Sequence, residues 1–301
     1  MREEICLITG ASSGIGKATA MELARIGFRL VLACQTADLG ENAQKNIAQN
    51  TGNSNVEVGV VDLSSQKSIR SFAEEFEGSH SRLDVLVNNA GIYTDRRTLT
   101  VDGFESTFAI NYLGHFLLTN LLLNLLIASA PSRIVNVSSQ NEQRATIDFD
   151  NLQGERNFKG MRAYSQSKLA NVLFTYELAR RFGGNGVTSN CVQPPGTRTN
   201  LGRGNVGITG VVFRSFFRPF MLSPEKGAST VIYLASSPDL ESVNGKCFAN
   251  LREVKTSPVS YDEEAARHLW TVSTNLAGLQ HDDTALPVRS PPPPLDSRKR
   301  A

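Results

Sequence analysis

The sequence predicts an α/β fold, a single domain on a doubly wound parallel sheet, and three observations predict it. Short apolar runs alternate with stretches of helical periodicity from Ile5 to Ala249, the pattern of strands covered by helices on both faces. A glycine-rich stretch, Gly10-Ala-Ser12-Ser13-Gly14-Ile15-Gly16, separates the first run from the first helical period. Further polar signatures fall at the ends of later runs, where open parallel sheets bind their ligands.

Residues 5–9 form the first run and residues 15–26 carry a helical period. Glycines between them let the backbone approach a ligand closely, and the free N–H groups at the helix start attract an anion such as a pyrophosphate. The spacing departs from the common G-x-G-x-x-G fingerprint, so the stretch alone is a weak signal. Runs follow at 28–33, at 56–61 before Asp62-Leu63, and at 85–88 before Asn89-Ala90-Gly91. The run at 133–137 leads to Ser138-Ser139, and runs at 187–192 and 246–249 complete the set. Helices are expected around 104–127 and 163–181. Residues 112–128 are the most apolar stretch, broken by His115, Thr119, Asn120 and Asn124. A membrane-spanning helix needs about 20 apolar residues, so a buried helix is expected there.

With 301 residues, 40% hydrophobic and 20% charged, the chain suffices for one large domain. Residues 1–280 are read as that domain. Residues 281–301 turn polar and proline-rich, through Ser290-Pro-Pro-Pro-Pro-Leu295 to Arg298-Lys299-Arg300, and read as a disordered tail. A net charge of +2, with no basic run interleaved with aromatics before the tail, excludes a nucleic-acid surface. Cys6, Cys34, Cys191 and Cys247 are scattered in apolar runs, as reduced core residues would be, which favours a reducing, cytoplasmic setting. His80, His115, His268 and His281 show no metal-ligand spacing, and no metal is expected. Met1-Arg2-Glu3-Glu4 leads straight into Ile5, so neither a signal peptide nor an N-terminal anchor is expected.

The chemistry rests on Tyr164 and Lys168. Four residues apart on a helix, they share one face with Cβ atoms roughly 6 Å apart. At about 4 Å and an effective dielectric near 20, an ammonium lowers a phenol pKa of about 10 by up to roughly 3. The expectation is a tyrosine acidified by its lysine, a proton donor near neutral pH. The plainer alternative is a surface helix with an aromatic and a cation at helical spacing.

Thr9-Gly-x-x-x-Gly-x-Gly16, Asp62-Leu63, Asn88-Asn89-Ala90-Gly91, Asn111, Ser138-Ser139 and Tyr164-x-x-x-Lys168, in that order, resemble the short-chain dehydrogenase/reductase superfamily. Arg133-Ile-Val-Asn-Val-Ser-Ser139, Asn151-Leu-Gln-Gly154 and Ala163-Tyr-Ser-Gln-Ser-Lys-Leu-Ala-Asn171 resemble its retinol dehydrogenase and WW-domain oxidoreductase branch. The resemblance implies a Rossmann-type fold and metal-independent hydride transfer between a nicotinamide cofactor and an alcohol or carbonyl. Within it, Tyr164 is the acid or base, and Lys168 assists it and holds the nicotinamide ribose. Ser139 donates to the substrate oxygen, and Asn111 supports a proton relay behind Lys168 through a water. Gly10, Ser12, Ser13, Gly14, Ile15 and Gly16 are implied at the pyrophosphate, Asp62 and Leu63 at the adenine. Asn89, Ala90 and Gly91 border the adenosine ribose and the nicotinamide side, and Thr199 meets the nicotinamide amide.

At Ala33-Cys34-Gln35-Thr36 no acidic residue follows the second run. NAD enzymes of this fold usually carry one there, so NADP(H) is favoured over NAD(H), although Gln35 stands where retinol dehydrogenases typically show an arginine. Around Gln193-Pro194-Pro195-Gly196 the chain matches the family loosely, with Pro195 where a glycine is expected. Residues 211–222 bring Phe213, Phe216, Phe217 and Phe220 into the segment after the sixth run. An apolar lid over a large apolar substrate is one reading of it. A packed amphipathic helix and a peripheral membrane contact with Arg214 and Arg218 at the headgroups are the others. Apolar residues on several faces of the helices at 104–127 and 163–181, which pair across a four-helix interface in related enzymes, predict a homodimer. A catalytically idle dinucleotide sensor or scaffold and a protochlorophyllide reductase-like enzyme are the rival functions.

Overall fold

Every residue of β1 (Ile5–Thr9) is buried in the computed structural model, which describes residues 4–197 and 222–280. Alternation along that strand sends Ile5 and Leu7 into one core cluster and Cys6 and Ile8 into another, because successive side chains leave opposite faces of a strand. The two clusters are the two faces of the sheet. One is packed by α1 (Gly14–Arg25), α2 (Ala37–Thr51) and α8 (Pro224–Ser236). The other is packed by α3 (Gln66–Ser79), α5 (Gly114–Leu121), α7 (Gly160–Phe182) and α9 (Glu263–Leu276).

β2 (Arg29–Cys34), β3 (Val56–Val60), β4 (Val85–Asn88), β5 (Ser132–Val137), β6 (Val187–Val192) and β7 (Cys247–Ala249) lie where the apolar runs predict them. The sheet order is β3-β2-β1-β4-β5-β6-β7, all parallel, with β8 (Arg252–Glu253) added antiparallel at the edge. Asn250 and Leu251, at φ 50° and 64°, turn the β7–β8 hairpin, as a tight two-residue turn requires. Strand order reverses between β1 and β4, and the crevice beyond that switch point is where such sheets bind ligands.

Two elements differ from expectation. The apolar stretch expected as one helix is segmented: α4 (Ser106–Phe108) passes through a π-helical turn at Ala109–Leu113 into α5, and α6 (Leu123–Ala128) follows Leu122. Gly114 starts α5 hard against the turn after β3, since a Cβ there would stand 2.7 Å from the Leu63 carbonyl oxygen. π-turns of this kind concentrate at functional sites.

The second is α9, whose Trp270, 3% exposed, packs its ring against Phe116 at 5.1 Å, Phe174 at 5.8 Å and Phe182 at 6.1 Å. The Arg181 guanidinium lies 4.4 Å from the same ring. With the sheet and residues 256–261 covering its other sides, residues 166–178 of α7 are all buried. The apolar faces from which a homodimer was expected are thus covered by the chain itself.

Candidate active site

At the carboxyl end of β1 the chain turns through Gly10 and Gly14, at φ 66° and 56°, a left-handed backbone that glycine adopts without strain. A Cβ at Gly16 would lie 2.5 Å from the Gly10 carbonyl oxygen, so only glycine lets α1 start this close to the turn. Ser13 is the N-cap of α1 and makes no side-chain cap bond. The first-turn N–H groups of α1 are left for an anion, and these residues fit a dinucleotide pyrophosphate. Ser12 lies in the same turn beside Cys34, whose thiol burial pushes up to about 11 with Ser12 opposing in part.

The Asn89 side chain folds back onto the turn, donating from Nδ2 to the Thr9 carbonyl at 2.8 Å. Thr9 Oγ1 in turn accepts from the Asn89 and Ala90 amides at 2.9 and 3.0 Å. Gly91 passes so close that a Cβ would stand 3.3 Å from Asn111 Oδ1 and 3.5 Å from Lys168 Nζ. Asp62 caps the turn after β3, accepting from the Ser64 amide at 2.9 Å and hydroxyl at 2.7 Å. Leu63 is buried in the core beside it. Gln35 is exposed one residue past the end of β2.

The four candidate catalytic residues meet at the ends of β4 and β5. Tyr164 and Lys168 lie one turn apart on α7, 8% and 3% exposed, with Lys168 Nζ 5.7 Å from the phenol ring centre. Lys168 Nζ donates to the Val137 carbonyl at 3.0 Å, and Ser138 Oγ donates to the Lys168 carbonyl at 2.8 Å. Ser139 caps a 3-10 turn at Gln140–Arg144, accepting from the Asn141 amide at 3.3 Å, and its hydroxyl lies on the Tyr164 side of that turn, near enough to lower the phenol in part. Asn111 stands in the π-turn, where Oδ1 accepts from the Ile92 amide at 2.7 Å. Its Nδ2 donates to the Ile92 carbonyl and to Ser167 Oγ, both at 3.0 Å.

The electrostatics correct one expectation. Burial pushes the Tyr164 phenol up, with the Ser139 hydroxyl opposing in part, instead of the lysine drawing it down. Burial also lowers Lys168 from 10.5 to about 8. The ammonium is directed at Val137 rather than at the phenol, and with both groups out of water desolvation outweighs their mutual attraction. Tyr164 therefore carries its proton at neutral pH, the form an acid needs.

Three residues of the site were not anticipated. Asn171, three positions after Lys168 and on the same helix face, donates from Nδ2 to the Asn111 carbonyl at 3.0 Å and to that of Val137 at 3.4 Å. Its signal was present, since it closes the Ala163–Asn171 stretch. His115 bonds Thr9 Oγ1 at 2.9 Å and the Asn111 carbonyl at 3.1 Å. Tyr93 packs edge to face on Tyr164 at 6.0 Å, its hydroxyl donating to Asp95 at 2.6 Å. Thr199, Phe213, Phe216 and Phe217 lie outside the described residues. The flanking residues do place where that segment leaves and returns: Thr197 and Leu222 form a β-bridge, with the Leu222 amide donating to the Gly196 carbonyl at 2.9 Å.

A doubly wound sheet with an anion-binding glycine turn, and with buried Tyr164, Lys168 and Asn111 beside a half-buried Ser139 at its switch point, defines a nicotinamide-dependent oxidoreductase. The family profile of short chain dehydrogenases matches residues 4–206, and the chain belongs to that family. Retinol dehydrogenase 13 of Homo sapiens is 47% identical over 280 residues, covering 91% of this chain and 84% of its own. Retinol dehydrogenase 14 of Homo sapiens is 44% identical over 295 residues, covering 93% and 88%. Among solved structures, an uncharacterized protein from Mycobacterium paratuberculosis superposes with a TM-score of 0.75 at 34% identity, covering 92% of this chain and 94% of its own. A proposed NAD(P)-dependent gluconate 5-dehydrogenase from Beutenbergia cavernae, with NADP at low occupancy, gives 0.65 at 25% identity, covering 82% and 94%. The chain is an NAD(P)-dependent oxidoreductase acting on CH–OH groups, of the retinol dehydrogenase-like branch.

Proposed function

We propose that the protein interconverts a large apolar alcohol, of the retinoid, steroid or lipid type, with its aldehyde or ketone, using NADP(H). The observation that carries this reading is the buried Tyr164–Lys168 pair, with the Ser139 hydroxyl near the phenol, at the mouth of the dinucleotide turn. The retinol dehydrogenase relatives support the substrate class. A bound nicotinamide dinucleotide supplies or accepts the hydride. Ser139 donates a hydrogen bond to the substrate oxygen and holds it against the phenol. Tyr164 gives its proton to that oxygen in reduction and takes it back in oxidation. Lys168, though directed at Val137, keeps its charge 5.7 Å from the phenol ring centre, and at about 6 Å and an effective dielectric near 20 that charge is worth roughly 3 kcal/mol to the phenolate left behind. Asn111 fixes the loop at Ile92 through its amide, which sets Gly91 against Lys168.

The lean towards NADP(H) rests on Gln35, since no carboxylate at that position opposes a 2′-phosphate, and on the NADP-bound Beutenbergia relative. A cytoplasmic location is inferred from the four cysteines, all free and buried. Among the described residues no helix is long and apolar enough to cross a membrane. A homodimer would have to use a surface other than α5 and α7. The test is NADPH oxidation with all-trans-retinal, a steroid ketone, a long-chain aldehyde and propanal. The reading requires turnover with at least one large apolar carbonyl at a kcat/KM above that for propanal. Dinucleotide binding without turnover of any of them would favour the sensor instead.

A further inference from the structure

His115 is 1% exposed, lies on α5 between the dinucleotide turn and the catalytic group, and is bonded through both ring nitrogens. Thr9 Oγ1 accepts from two backbone amides, Asn89 and Ala90, which occupies its lone pairs. The hydroxyl hydrogen then has two acceptors in reach, His115 Nε2 at 2.9 Å and the Val87 carbonyl at 3.4 Å. The nearer one accepts it. With Nε2 an acceptor, the ring proton of a neutral imidazole must sit on Nδ1, which donates to the Asn111 carbonyl at 3.1 Å. The opposite tautomer would set the Nδ1 lone pair against that carbonyl oxygen and give Thr9 Oγ1 a third donor. Burial lowers His115 to about 4, and the Lys168 ammonium facing it acts in the same direction.

We propose that His115 is a positioning residue whose Nδ1–H tautomer joins the dinucleotide turn to the Asn111 backbone, so that the cofactor cradle and the catalytic group move as one unit. The hydrogen bonds all point one way, from the Asn89 and Ala90 amides through the Thr9 hydroxyl and the imidazole to the Asn111 carbonyl. Bonds in such a chain polarise one another. Asn171 Nδ2 supplies the second donor to the same carbonyl. The Asn111 carbonyl thus collects side-chain donors from two helices, His115 on α5 and Asn171 on α7. This inference rests on the proposed function only where catalysis is read, and it has readouts that do not need turnover.

The experiment is imidazole ¹⁵N NMR on the full chain, together with two substitutions. The wild type should show one histidine in the Nδ1–H form that stays neutral across roughly pH 6 to 8, where an ordinary histidine titrates. His115→Leu should weaken NADPH binding about fivefold, the worth of one hydrogen bond, and lower kcat on the order of 10²-fold by misplacing the catalytic group. His115→Gln, which carries one donor and one acceptor, should recover most of the loss. Phe116→Leu, a core change on the same helix, should leave both values within about twofold at a similar loss of stability. An Nε2–H tautomer, or a His115→Leu enzyme indistinguishable from Phe116→Leu, overturns the proposal. If His115→Leu does not fold, a His115→Gln enzyme with the affinity and kcat lost and unrecovered overturns it equally. A wild type that turns over no carbonyl would refute the proposed function instead, leaving tautomer and NADPH affinity to judge His115.

Discussion

Lys168→Met should make the protein more stable while destroying its activity. Burial takes the ammonium from 10.5 to about 8. At about 1.4 kcal/mol per pH unit, holding that charge in the fold costs about 3 kcal/mol at neutral pH. Methionine fills similar space without a charge and forfeits the bond to the Val137 carbonyl, worth about 1 kcal/mol. That oxygen keeps a second donor, Asn171 at 3.4 Å, so it is not orphaned. The net expectation is a gain of about 1 to 2 kcal/mol, read as a higher urea midpoint at pH 7 with an unchanged slope. The sign of the pH dependence follows. The folded chain releases this proton near pH 8 and the unfolded chain near 10.5. Between those values the unfolded chain holds more protons, so wild-type stability should rise with pH relative to the variant, closing most of the difference. A variant less stable than wild type by 1 kcal/mol or more, or a difference that does not change with pH, would refute the claim that Lys168 is a charge buried at the expense of stability.

Trp270→Ala removes the side chain that closes the aromatic cluster over α5 and α7 and should cost about 3 to 5 kcal/mol in chemical denaturation. Sedimentation of the wild type at micromolar concentration should show no dimer through this face, and the variant should self-associate; equal behaviour of the two would count against α9 as its cover. Gln35→Arg should raise kcat/KM for NADPH relative to NADH by about tenfold, a charge-assisted bond to the 2′-phosphate being worth about 1.5 kcal/mol. A wild type already about ten times better with NADH would reverse the assigned preference.

Most of the sheet was legible because a buried strand is written as a short, largely apolar run, as in β1 (Ile-Cys-Leu-Ile-Thr) and β4 (Val-Leu-Val-Asn), while β3, β5 and β6 keep enough Val and Ile between their polar residues to read the same way. β8 has none: Arg252 and Glu253 are exposed, and the strand is held by its backbone pairing with β7 and an ion pair from Lys246 to Glu253 at 3.0 Å. The glycine turn and the grouping of Asn111, Ser139, Tyr164 and Lys168 were legible because the proposed chemistry restricts both residue type and spacing. What sequence missed was whatever depended on distance in the chain. Trp270 and Phe116 are 154 residues apart, so the apolar faces of α5 and α7 look unpartnered until α9 is placed on them. The direction of the Tyr164 shift went astray for a related reason. Helical spacing states how near the lysine is, but only the fold states that both groups are out of water, with the ammonium turned to Val137. His115 was weighed only as a metal ligand, since neither of its partners, Thr9 and the Asn111 carbonyl, announces itself in a sequence.

The central claim is that Tyr164 gives and takes the proton, and the most direct test is single-turnover reduction by Tyr164→Phe with NADPH affinity measured in parallel. The change deletes one hydroxyl from a buried ring and little surface. The account predicts a loss of hydride transfer on the order of 10² to 10⁴, with NADPH affinity within about threefold of wild type. A Tyr164→Phe enzyme that kept more than about half of the wild-type rate would contradict it and move the proton to another residue of the site.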